Sequence, residues 1–133
     1  MSVANRVAQL LMRTLGSIML VLGGLFWTGN ALTLIPIHML LGLALVLTLW
    51  TLAAIAARAG VHLGLVLLAA VWGLVVPVLG MSQDSLLAGP AHVLIQILHL
   101  HVGVTAIALG ETLARRSSLR LTVRRTELAA SPG

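Results

Sequence analysis

The chain has 133 residues, of which 59% are hydrophobic and only 8% charged, against about 25% charged residues in an ordinary soluble domain. That balance excludes a water-soluble globule and implies an integral membrane protein. Cysteine is absent, which excludes disulfides, thiolate metal sites and iron–sulfur clusters and leaves histidine as the strong nitrogen ligand.

The few charges divide the chain. No formal charge falls in the 44 residues between Arg13 and Arg58, the 25 between Arg58 and Asp84, or the 26 between Asp84 and Glu111. A crossing of the hydrocarbon core takes about 20 residues, so the first gap holds two spans and the others one each. The apolar runs are continuous rather than alternating with period two, which excludes a barrel. The expected fold is an all-α membrane protein: an up-down bundle of four transmembrane helices forming a single domain over residues 1–133. Only short loops and two tails then remain, so any chemistry belongs inside the bundle or at its rims.

Span one covers about residues 10–28 and ends in the turn-forming Thr28-Gly29-Asn30. Its basic start and apolar run resemble a signal peptide, but no small-x-small cleavage site follows, and it is read as a helix of the mature protein. Span two, about residues 35–57, has Pro36 in its first turn and closes at Arg58-Ala59-Gly60. Span three, about residues 62–79, carries Pro77, which predicts a kink. Span four, about residues 90–113, is opened by Pro90 and contains Glu111, which the i to i+4 rule pairs with Arg115. Residues 114–133 form a basic tail with Arg115, Arg116, Arg120, Arg124 and Arg125.

All eight basic residues are arginines, and they lie in the N-terminal region, the loop between spans two and three, and the C-terminal tail. Arginine on one side only places both termini in the cytoplasm and the loops at Asn30 and Asp84 outside. The net charge of +5 sits beside membrane spans without interleaved aromatics, which points to anionic lipid headgroups and not to nucleic acid.

Five histidines accompany only three acids, and ionisable residues inside a membrane are costly and face the bundle interior. His62 lies at the cytoplasmic rim beside Gly60 and reads as interfacial. His38 and His92 lie in the first turns of spans two and four. His99 follows His92 by seven residues, which returns it to within about 20° of the same helix face. The resulting stripe of His92, Gln96, His99, Gly103, Ala106 and Gly110 is polar or small, and it marks the inward face of span four. His101 stands about 200° from His99 and cannot share a metal with it. The plain alternative is that each histidine hydrogen-bonds a neighbour, as His92 could bond Gln96 one turn on.

His38 and Gly42, like His99 and Gly103, are four residues apart, so each glycine sits one turn from a histidine on the same face. A residue without a side chain beside an axial histidine leaves room for a porphyrin plate, and histidines on different helices are the usual way to hold a haem iron from both sides. Counted from the outer helix starts, His38 lies about 4.5 Å deep, His92 about 3 Å and His99 about 13.5 Å. Counted from the arginine end, the distances are about 30, 34 and 24 Å. The first count favours His92 and the second nearly ties the two. The candidate haem and metal ligands are therefore His38 with either His92 or His99.

The segment His38-Met39-Leu40-Leu41-Gly42-Leu43, followed by an apolar run to Trp50, resembles the histidine-and-glycine helix start of bacterial four-helix membrane b-type cytochromes. Ile97-Leu98-His99-Leu100-His101-Val102 resembles the leucine-histidine stretch of their last helix. The resemblance covers two of the four spans. It implies haem b between helices and electron transfer between quinol or superoxide chemistry and a partner. Span one has no histidine, whereas members with two haems need four ligands, so one haem is implied. The outer loops also lack the basic residues expected near haem propionates, leaving Asn30, Thr33 and Gln83 as weaker donors.

Three functions follow. The first is one-electron transfer through a single haem between helices two and four, with a quinone or a redox protein as partner. The second is a non-catalytic accessory or assembly subunit of a larger membrane complex, as a homo- or hetero-oligomer. The third, and weakest, is a transporter of a divalent metal or a proton-coupled solute, which would require a pathway of acids or ligands across the whole membrane, whereas the cytoplasmic half offers only Glu111 and His62.

Overall fold

A computed structural model describes residues 2–87 and 89–130. Every regular element in it is helical: α1 (Val3–Trp27), α2 (Ile35–Arg58), α3 (Leu63–Ser82) and α4 (His92–Ala130), with single 3-10 turns at Leu32–Leu34, Gln83–Ser85 and Gly89–Ala91. All four long helices are long and apolar enough to cross a membrane.

Local chemistry accounts for the boundaries. Ser2 caps α1, its Oγ accepting from the Asn5 N–H at 3.2 Å. The helix ends when Gly29 takes the left-handed conformation at φ +74°, which lets the Gly29 and Asn30 N–H groups reach back to the carbonyls of Phe26 and Leu25 at 2.9 and 2.8 Å. The end of α2 repeats this motif. Gly60 lies at φ +76°, and the Gly60 and Val61 N–H groups bond Ala57 and Ala56 at 3.1 and 3.0 Å. In both places the glycine satisfies carbonyls that a helix end would otherwise leave bare. Pro36 sits in the first turn of α2, where its missing N–H costs nothing. The helix α3 continues through Pro77.

Two boundaries differ from the sequence expectation. The first helix starts at Val3 rather than near Leu10, and α4 does not stop near Leu113 but runs on to Ala130. The basic tail is thus a continuation of α4; its last three residues lie outside the described residues. Arginine, leucine and alanine are strong helix formers, and a hydropathy reading ends where charge begins although the helix does not.

Both α2 and α4 pack against all three other helices, so they form the central pair, with α1 and α3 on its flanks. The core is built from their facing residues: Leu45, Val46, Leu49, Leu52 and Ala56 of α2 with Val102, Ala106, Leu109, Leu113 and Ala114 of α4, joined by Met12 and Ala69. Small residues bring the backbones close. Gly110 lies under Met12 and Gly16 under Ile107, so α1 and α4 run antiparallel. Trp50 folds over Gly73 and donates its indole N–H to the Ala70 carbonyl at 3.1 Å. Trp72 joins α3 to α4 through the Val102 carbonyl at 3.0 Å. The outer surface is as apolar as the core, with Leu20, Val21, Leu40, Leu43, Leu67, Val71, Leu74, Leu94 and Leu98 all exposed. Helices that are hydrophobic all round belong in lipid.

Candidate haem site

His38 is the fourth residue of α2 and His99 the eighth of α4, and the central pairing of these helices brings their rings together. The ring centres are 6.4 Å apart and the planes are tilted by 44°. Both rings are half-buried, and the Nδ1 atom of each is buried without a hydrogen-bond partner. The flanking helices complete the surroundings. Phe26, at the end of α1, meets His38 edge-on with ring centres 5.2 Å apart. On α3, a Cβ at Gly80 would stand 3.2 Å from His99 Cε1, so the glycine makes room for that imidazole.

His38 thus faces His99. The other candidate partner, His92, places Nδ1 3.2 Å from the Leu86 carbonyl oxygen in the connection before α4. That contact also replaces the His92–Gln96 bond considered from the sequence. His101 is exposed, and its Nδ1 lies 2.8 Å from the Ile97 carbonyl of its own helix. His62 caps α3, with Nδ1 accepting from the Gly64 N–H at 3.1 Å.

The donor set suits a haem. Two imidazoles on different helices, each with a buried unpartnered nitrogen, are residues that could hold a haem iron, which would supply one-electron chemistry there. Among the described residues no group of three His, Cys, Asp or Glu side chains could hold a bare ion. The glycines differ in the space they leave. A Cβ at Gly103 would meet nothing within 4 Å, whereas one at Gly42 would lie 3.2 Å from the terminal methyl of Met19, the far end of a flexible side chain.

A second polar cluster lies toward the other end of the bundle. Arg13 donates to both carboxylate oxygens of Glu111, at 2.7 and 2.8 Å, and Gln9 donates to the same carboxylate at 3.0 Å. Glu111 therefore pairs across the α1–α4 contact and not with Arg115 on its own helix, because the inward face of α4 points this carboxylate at α1. Asn5 is fully buried, and its Nδ2 donates to the Ala114 carbonyl and the Ser118 hydroxyl, both at 2.9 Å. Sequence reasoning missed this cluster, although Asn5, Gln9 and Arg13 recur every four residues, the spacing of one helix face. It also missed Phe26 and the notch at Gly80, which depend on how the flanking helices are staggered.

Comparison with known protein families, curated proteins and solved structures finds no match to this chain.

Proposed function

We propose that the protein is a membrane electron carrier that holds one b-type haem between α2 and α4, with His38 and His99 as its axial ligands. The observation that carries this reading is the facing pair of imidazoles, 6.4 Å apart, whose Nδ1 atoms are buried and unpartnered. A buried polar group without a partner costs about 1–3 kcal/mol, and a pair of them on one interface has its simplest explanation in a ligand. Bound there, the haem supplies one-electron exchange.

The chain's own residues hold and shield the group. His38 and His99 fix its position from the two central helices. Phe26 covers the edge of the His38 ring, and Gly103, one turn from His99, leaves space beside it, while Met19 lies against Gly42. The arginine-bearing end of the bundle is the cytoplasmic one by the positive-inside rule, so the haem lies toward the outer face of a bacterial inner membrane. A quinone or a redox protein exchanges electrons with it from that side.

The test is to purify the protein in mild detergent from haem-replete cells and record oxidised and dithionite-reduced visible spectra. The expected result is a Soret band that shifts on reduction, a sharp α band and close to one haem per chain. A folded, helical but colourless protein overturns the reading and leaves an accessory or assembly subunit in its place.

A further inference from the structure

At the arginine-bearing end, α3 begins against the continuation of α4 and leaves a concavity of about 340 Å³ lined by Val61, His62, Leu119, Val123, Arg116 and Arg120. Its chemistry is divided. Two guanidinium-bearing residues one helical turn apart on α4 and an imidazole on α3 supply hydrogen-bond donors, while Val61, Leu119 and Val123 supply an apolar wall. The His62 ring is held by its contact with the Gly64 N–H, and Gly64 permits this, since a Cβ there would come within 3.0 Å of the ring. With Nδ1 accepting that bond, the neutral imidazole carries its proton on Nε2 and is a donor there.

No carboxylate lines the concavity, and among the described residues the acid–base contact within 4.0 Å is Arg13 with Glu111. Of the three acids, Glu111 is bound to Arg13, Asp84 lies in the connection between α3 and α4, and Glu127 follows Val123 by one turn of α4, outside the lining. Arg58, in the last turn of α2, and Arg115 stand near the same level, so the local field is strongly positive. The level itself is informative. At 1.5 Å per residue α2 is about 36 Å long, enough to cross a hydrocarbon core of about 30 Å, and His62 follows four residues after its last arginine. The concavity thus falls at headgroup depth, with Arg116 and Arg120 alternating with Leu119 and Val123 along the departing helix.

We propose that this concavity binds the headgroup of one anionic phospholipid, its phosphodiester taken by Arg116 and Arg120 with His62. Arginine presents a planar fork of donors to phosphate oxygens, and basic hollows between membrane helices are suited to lipid headgroups. The site is separate from the histidine pair and does not depend on the haem reading.

Native mass spectrometry of the purified full chain, titrated with phosphatidylglycerol or phosphatidylcholine, tests it. Retention of one phosphatidylglycerol in preference to phosphatidylcholine is expected, and the double variant R116Q/R120Q should bind it about tenfold to thirtyfold more weakly. The double variant R124Q/R125Q removes the same charge from the same helix beyond the concavity and should retain it. Equal weakening in both variants overturns the site in favour of a diffuse charge effect, and equal retention of phosphatidylcholine overturns its selectivity. Displacement of the lipid by millimolar inorganic phosphate overturns the lipid as occupant and makes the site one for a free anion.

Discussion

Asn5, Gln9 and Arg13 on α1 meet Ala114, Ser118 and Glu111 on α4 through donors and acceptors 2.7–3.0 Å apart, whereas His38 and His99 meet with two buried nitrogens unbonded. The first cluster is nearly complete in itself; among its buried atoms Asn5 Oδ1 is without a partner, while the same amide makes two bonds through its nitrogen. The second is incomplete in both members. Both clusters join α4 to another helix, and both sit in an apolar bundle where unmet polarity is expensive. The comparison separates polarity satisfied between helices from polarity left unsatisfied, which the proposed haem would complete.

The sharpest way to break this comparison is to remove the ligands. His38→Ala and His99→Ala should each abolish haem retention, read from the reduced spectrum, while His92→Ala keeps it. Full haem occupancy in the His99 variant would falsify the pairing. A subtler probe fills the open space one turn from His99. Gly103→Leu should leave helical content unchanged by circular dichroism, because nothing lies within 4 Å of the added Cβ, yet lower haem occupancy several-fold. If occupancy is unaffected, the plate does not lie beside Gly103.

The packing side of the comparison is tested by stability. Gly73→Ala drives a methyl into the Trp50 indole, which its bond to Ala70 holds in place, and should cost about 1–3 kcal/mol in thermal unfolding. Asn5→Ala removes two bonds between α1 and α4, and with membrane hydrogen bonds averaging about 0.6 kcal/mol it should cost roughly 1 kcal/mol without altering the spectrum. The smallest effect belongs to His62→Ala, which loses a helix cap and should cost about 0.5–1 kcal/mol with haem retained. A loss of haem in the Asn5 or His62 variant would mean that the two ends of the bundle are not independent.

The four helices were legible because charge is so costly in hydrocarbon that Arg13, Arg58, Asp84 and Glu111 mark out the lengths available to spans. Turn chemistry was equally local: Gly29 and Gly60 stop their helices through bonds within six residues. What escaped was what depends on stagger between helices. Counting residues along α2 and α4 could not choose between His92 and His99 as the neighbour of His38, since each helix end shifts the count by more than a turn. The orientation of His99 rests on the notch at Gly80, which belongs to a third helix. Glu111 shows the same limit. Arg115 was available one turn along the helix, but the side chain's direction on the bundle's inner face decided for Arg13. The length of α4 was readable and was missed, since nothing in the sequence between Gly110 and Ala130 interrupts a helix.

That length gives the molecule a shaft. The 39 residues of α4 form a rod of about 58 Å at 1.5 Å per residue, and roughly half of it extends beyond the core shared with α2. No proline or glycine follows Gly110 within α4, so that extension has no hinge residue within it. Between Arg120 and His99 the rod is pinned by Asn5 at Ala114 and Ser118 and by Trp72 at Val102, so the arginine-bearing end stands out from the bundle as a spar fixed at its base.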